Sequence, residues 1–162
     1  ISDCLVGSEM CIRDRPEREA NDSVWHSTTA LIDIIRLADN LEDWLAFYVK
    51  WEMNLLDLLG FGLNLQSCAV SGLTDALIYV SPRSGRAVHR DHAGDYADRL
   101  LHLPCFLQPE QATEALSETA LMDGLTLTGH FVSHRVFSLV HKELPVARLR
   151  LAHLVSKRYN IT

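Results

Sequence analysis

The sequence predicts a mostly α-helical domain, a bundle of about five helices with a small β-hairpin insertion near its middle. Three observations lead there. Two long stretches carry apolar residues at helical spacing before residue 60. The section that follows is broken by Gly72, Pro82, Gly85, Gly94 and Pro104 into short apolar runs. Helical spacing then returns behind Pro109 and Pro145, residues suited to a first helical turn.

Asn21, Asp22 or Ser23 is placed to cap the first helix, in which Trp25, Leu31, Ile34, Ile35 and Ala38 follow helical spacing. Asn40 is expected to cap the second. Its broad apolar face takes Leu41, Trp44, Leu45, Tyr48, Trp51, Leu55, Leu56 and Leu59, with Glu52 as one polar interruption, and Gly60 and Gly62 should end it. So short a join favours an antiparallel helical hairpin, the seed of the core. Between residues 66 and 104, the runs Ala76–Val80 and Arg86–Val88 read as a small hairpin. A third helix is expected from Pro109 to about Gly124, a fourth from Thr126 to Leu139, and a last one behind Pro145 with Val146, Leu149, Leu151, Ala152, Leu154 and Val155.

The 162 residues, 48% hydrophobic and 22% charged, suffice for one globular domain with a core of its own. A net charge of −6 argues against a surface that neutralises phosphates throughout, since nonspecific nucleic-acid binding rests on Lys and Arg displacing counterions. No run approaches the roughly 20 apolar residues that span a bilayer, and no secretory signal is evident, so a cytoplasmic protein without membrane contact is expected. Cys4, Cys11, Cys68 and Cys105 are irregularly spaced and suit reduced thiols.

Residues 1–15, ISDCLVGSEMCIRDR, lack an amphipathic period and hold two of the four cysteines. They resemble translated sequencing-adaptor DNA. The alternatives are a non-native leader and an ordinary disordered terminus, and under either one Cys4 and Cys11 drop out as site candidates. Residues 16–162 are then the domain proper.

A chain of motifs carries a family resemblance: a helix containing WE that ends in LLGFGL, CAVSG from Cys68, SPRSGRAV from Ser81, YADRLLHLPCFL from Tyr96 and GLTLTGHF from Gly124. In this order they resemble the C-terminal region of alphaproteobacterial RecO proteins, over essentially all of the chain beyond the leader. The resemblance implies a recombination mediator for DNA repair that makes and breaks no covalent bond. Such a protein anneals complementary strands and helps the recombinase load on coated single-stranded DNA. It also implies RecR and the acidic tail of single-stranded-DNA-binding protein as partners. An N-terminal oligonucleotide-binding barrel, absent from this sequence, would make most of the DNA contact.

Many members of that family carry a four-cysteine zinc site in the hairpin region. Here the first Cys-x-x-Cys pair reads Cys68 to Ser71 and the second falls at His89 and His92. Cys68, His89 and His92 would be ligands if any metal bound, with Asp91 or water completing the shell. Serine is a poor zinc ligand, so the expectation is a decayed site with no cofactor and both histidines on the surface.

Arg83, Arg86, Arg90 and Arg99 cluster in and after the hairpin and are the DNA candidates, although Asp91, Asp95 and Asp98 lie close by. The C-terminal segment is basic, with Arg135, Lys142, Arg148, Arg150, Lys157 and Arg158 against Glu143, whereas the first two helices are acidic. Arg148, Arg150, Lys157 and Arg158 are the candidates for receiving an acidic, apolar-ended peptide, with Leu149, Leu151 and Leu154 beside them. Two other classes are weighed: a zinc-stabilised interaction module, and a small hydrolase using Cys68, Cys105 or the His130–His134 pair. Phe131 stands where a zinc-protease helix has Glu, and no nucleophile elbow or phosphate loop occurs, so no catalytic residue is assigned.

Overall fold

The computed structural model describes residues 22–108 and 116–159. Helix α1 (Asp22–Leu37) is followed after a three-residue join by α2 (Leu41–Leu58). Asn40 caps α2 as expected: its extended backbone (φ −137°) lets the side-chain oxygen accept the Asp43 amide at 2.8 Å. Gly60, at φ +83°, closes the other end, where the Gly60 amide donates to Asp57 O (2.9 Å) and the Phe61 amide to Leu56 O (2.7 Å). These are the paired bonds of a Schellman stop.

The middle section forms three short antiparallel strands, β1 (Leu77–Val80), β2 (Ala87–His89) and β3 (Leu101–His102), in the order β2-β1-β3. The hairpin β1–β2 matches the expected runs to within a residue at each boundary. Sequence reading missed β3, whose two residues are too few to carry a period. The free edge of β2 is covered by the chain arriving from α2, with the Asn64 amide on Gly85 O, the Ala87 amide on Asn64 O and the Ala69 amide on Ala87 O. Those bonds satisfy groups that a bare edge would leave open.

Helix α3 (Glu118–Phe131) begins at Ser117, whose hydroxyl accepts the Ala120 amide. It runs straight through Gly124, where a stop was expected. The expected third and fourth helices are therefore one from Glu118 onward, while the stretch 109–115 lies outside the described residues. Gly124 serves close packing instead: a Cβ there would lie 2.9 Å from Phe106 Cζ and 3.1 Å from Val49 Cγ1. The helix continues as a wider turn, Val132–Phe137, and a tight one, Ser138–Val140, before His141 reverses the chain in the left-handed region (φ 53°). Helix α4 (Val146–Tyr159) follows, with Pro145 accepting the first amides, those of Arg148 and Leu149. Pro145 thus stands one residue ahead of the helix rather than inside its first turn.

Two apolar clusters meet along α2 and α3. Leu45, Ala46, Val49, Phe106, Leu121, Leu125 and Val155 hold the helices together. Leu56, Cys68, Leu77, Val80, Ala87, Leu127 and Phe131 bind the sheet to the helix ends. Between α2, α3 and α4 sits a buried polar knot. Glu52 is 3% and Arg148 is 8% exposed. Arg148 Nε donates to Glu52 Oε1 (2.7 Å) and Nη2 to Oε2 (2.9 Å), Nη2 also reaches Leu125 O (2.8 Å), and the Thr128 and Tyr48 hydroxyls donate to the same carboxylate. Burial, followed by the Glu52 charge, raises the Tyr48 phenol well above its usual range, so Tyr48 is a permanent donor here.

Arg148→Met should leave the Glu52 carboxylate buried without its cation and cost about 3–5 kcal/mol in urea unfolding, whereas the double change Glu52→Leu/Arg148→Met should recover most of that loss. Gly124→Val should cost about 1–3 kcal/mol by overpacking against Phe106 and Val49, measured in the same way.

Candidate functional site

The four hairpin-region arginines are all exposed, but the sheet divides them. Strand β1 climbs toward the turn 81–86, and β2 leads away from it. Strand β3 starts with Leu101 opposite Val80, the last residue of β1. Arg99 therefore stands at the turn end of the sheet with Arg83 and Arg86, while Arg90, beyond the last residue of β2, is at the other end. The turn is built by the sequence SPRSGR: the Gly85 amide donates to Ser81 O (2.8 Å), the Ser81 amide to Arg86 O (2.9 Å), and Gly85 takes φ +70°.

The C-terminal end of α3 packs against this turn, which sequence reasoning did not foresee. His130 Nε2 lies 3.1 Å from Pro82 O, and the His134 ring stacks on His130 with centroids 4.2 Å apart. Arg135 lies with its guanidinium 4.6 Å above the Phe131 ring, donates to Phe61 O at 3.3 Å, and presses against Gly85. Any Cβ at Gly85 would come within 2.7 Å of Arg135 Nη2. Burial, only partly offset by the Pro82 carbonyl, lowers the His130 pKa, and the charges of His134 and Arg135 lower it further. Burial also lowers that of Arg135.

At the opposite end of the hairpin, Cys68 is 1% exposed. Burial of its sulfur opposes ionisation, but hydrogen bonds from the Ser71 side chain and amide and from the His89 and Val70 amides outweigh this and bring the thiol down to about 6. The His89 amide lies 3.2 Å and the Val70 amide 3.4 Å from Sγ. His89 is buried rather than on the surface, as expected of it, because β2 carries it inward. Its Nδ1 is engaged by the Asp91 amide at 3.1 Å. His92 is exposed, its ring 5.4 Å from that of His89. Among the described residues, no three His, Cys, Asp or Glu side chains gather into a metal-holding group. Cys68, His89 and His92 are not brought together into such a group, and Ser71, whose hydroxyl is a poor zinc ligand, stands at the remaining position.

Of the peptide-binding candidates, Arg148 is unavailable, since it points inward to Glu52. Sequence spacing alone could not reveal this, because the face of α4 that turns inward depends on where Glu52 lies. Arg150, Lys157 and Arg158 are exposed. Beside Arg150, the outer face of α4 shows Val146 (62% exposed), Leu149 (51%) and Leu154 (62%) to solvent. These residues line a surface hollow of about 350 Å³ with Arg150 and His153. A second hollow of about 410 Å³ adjoins it through Leu149 and is lined by His134, Lys142, Glu143 and Leu144 among others. Cys105 is half-buried against the helical cluster. The His130–His134 pair is a stacked dyad in which His134 Nδ1 contacts the His130 carbonyl at 2.8 Å, with no nucleophile beside it among the described contacts.

A family model described as "Recombination protein O C terminal" matches residues 4–145. The chain belongs to the RecO family. It is 46% identical over 136 residues to the DNA repair protein RecO of Caulobacter vibrioides, covering 84% of this chain and 54% of that protein. The protein of the same name from Rhodospirillum centenum is 43% identical over 146 residues (89% and 56%), and that of Hyphomonas neptunium 47% over 132 residues (82% and 52%). The chain thus spans about half the length of the curated relatives it matches. No solved structure shows a significant match. Among the described residues, no helix is long and apolar enough to cross a membrane.

The hydrogen-bonded Cys68 makes a pH signature. A thiol whose folded pKa is depressed to about 6 from an ordinary value near 9 contributes stability that is fully present above 9 and lost as pH falls through 6. The stability gap between the unmodified chain and Cys68→Ala should therefore widen as pH rises from 6 to 9, read from urea midpoints at each pH.

Proposed function

We propose that this chain is the helical docking half of a cytoplasmic recombination mediator acting in DNA repair, without catalysis and without a resident metal. Membership of the RecO family supports the repair role, and the relatives carry that name. The observation that carries the docking role is the outer face of α4, where Val146, Leu149 and Leu154 stand exposed among Lys142, Arg150 and His153. Single exposed leucines are ordinary on protein surfaces, but a row of them lining a hollow with basic residues at its rim is a peptide-groove arrangement.

An acidic, apolar-ended peptide matches both halves of that surface. Its aromatic end would fill the hollow beside Leu149 and Leu154, while its carboxylates meet Arg150 and Lys142 in charge-assisted bonds. Lys157 and Arg158 extend the basic field along the same helix toward its C-terminal end. This is the chemistry of the tail of single-stranded-DNA-binding protein, and we assign the groove to it. RecR is the second partner of the reading, with no surface assigned. DNA contact on this chain falls to the hairpin-region arginines. The mediator then works by redistributing binding energy: holding the coating protein's tail and the strand together lowers the barrier to exchange.

Titration of the chain with a fluorescent acidic peptide ending in Phe should show salt-sensitive binding. Arg150→Ala should weaken it by about 1–2 kcal/mol, roughly five- to thirtyfold, and Leu154→Glu should abolish it. No binding of the unmodified chain at low salt would sink the docking reading.

A further inference from the structure

We propose that the turn end of the sheet and the C-terminal end of α3 together form a cationic site for the phosphate backbone of DNA, with Arg83, Arg86 and Arg99 on the sheet side and Arg135 and His134 on the helix side. The inference rests on the reading that this half of the protein meets DNA, and goes beyond it by assigning the site and adding two residues far away in sequence.

The elements converge through specific contacts. His130 meets the Pro82 carbonyl, and Arg135 meets Gly85, so the helix end touches the turn on both sides of Arg83 and Ser84. Arg135 is fixed in place by the Phe131 ring, the Phe61 carbonyl and the Gly85 backbone, three neighbours without charge. Among the described residues, none of Arg83, Arg86, Arg99 and Arg135 has a carboxylate within 4.0 Å; the ion pairs there are Arg36–Asp33, His89–Asp91 and Arg148–Glu52. In a chain of net charge −6, cations set at one end of a sheet without a paired carboxylate stand out. Like charges repel one another at such a site, and a polyanion relieves that repulsion while releasing its own counterions.

The turn adds neutral donors. The Ser81 and Ser84 hydroxyl oxygens already accept the Ser84 and Arg86 amides, which leaves each hydroxyl proton free to donate to a phosphate oxygen. Acids around the site are Asp98, next to Arg99, Asp57, whose carboxylate lies against Gly62 beside the Phe61 carbonyl, and Glu143, which shares the hollow of His134 and Lys142. Among the described residues, none of them is paired with a cation of the site. His134 is exposed, stacked on His130 and close to Lys142 and Glu143, while His130 faces the Pro82 carbonyl and Arg135. A phosphate brought to this edge favours the protonated form of His130, which burial disfavours in the free chain, so binding should strengthen as the pH falls.

The test is fluorescence anisotropy of a labelled 30-nucleotide single strand, about 30 nucleotides being ample for one domain, and of the matching duplex, titrated with the full chain over a salt series at pH 6 and pH 8. We expect binding whose logarithm falls linearly with the logarithm of salt concentration. Arg83→Ala/Arg86→Ala, both on an exposed turn, should reduce that slope by roughly 1.4–1.8. His130→Ala should remove most of the gain between pH 8 and pH 6, and His134→Ala should weaken binding at both. Arg36→Ala on α1 should change nothing. Preference for one of the two DNA forms, with these signatures, supports the site and identifies the form it takes. Absence of DNA binding at low salt overturns the proposal, as does a slope that the double variant leaves unchanged. Acidic-peptide binding measured on the same variants separates the two readings: it should survive Arg83→Ala/Arg86→Ala, and its failure in the unmodified chain would count against the α4 groove alone.

Discussion

The Glu52–Arg148 pair is the contact on which the arrangement of the helices depends. Apolar burial is non-directional, and leucines on α2, α3 and α4 would tolerate several rotations and offsets of one helix against another. A buried carboxylate does not. Left without its guanidinium it would carry a large desolvation cost, so α4 has one register that satisfies Glu52 and also places Nη2 on the Leu125 carbonyl. Thr128 and Tyr48 occupy the remaining acceptor positions, which joins three helices through one side chain. The pair specifies more than it stabilises. By turning Arg148 inward it sets which residues of α4 face out, and those are Val146, Leu149, Arg150, His153 and Leu154.

The hairpin is secured by a different device. The chain here surrounds one sulfur with amide donors, and negative charge on Cys68 is stabilised by the backbone itself. The sheet below it is anchored by ordinary packing: Leu77, Val80 and Ala87 close on Leu56, Leu127 and Phe131. The apolar cluster beneath this loop-rich module and the covered strand edge beside it hold its shape.

Charge is distributed unevenly over the resulting surface. Of the acids on the first two helices, Glu52 binds Arg148 and Glu42 accepts the Tyr159 hydroxyl at 2.9 Å. Among the described residues, arginines at the sheet's turn end and the basic, leucine-bearing face of α4 lie without a paired carboxylate. The two surfaces meet near His134, which belongs to the helix end and also lines the hollow beside Leu149. A strand and a peptide bound at these two places would lie side by side.

The helix-rich class, the caps at Asn40 and Gly60, the hairpin strands and the family itself were legible in the residues, because each rests on local chemistry: a side chain that satisfies its own helix's amides, a glycine at positive φ, a short apolar run between turn residues. Gly124 shows where that ends. The same residue that stops a helix at its C-terminus permits close approach in its interior, and only the positions of Phe106 and Val49 distinguish the two. Arg148 was read as a surface cation for the same reason, since a basic residue on an amphipathic helix declares its charge but not its partner 96 positions away. His89 was placed outside and lies inside, because burial on a three-residue strand depends on what covers the sheet. Local pattern determined which elements form. Tertiary packing decided which of their polar groups are consumed in holding the fold and which are left for a ligand, since that choice is made by residues distant in sequence that meet only once the chain has closed.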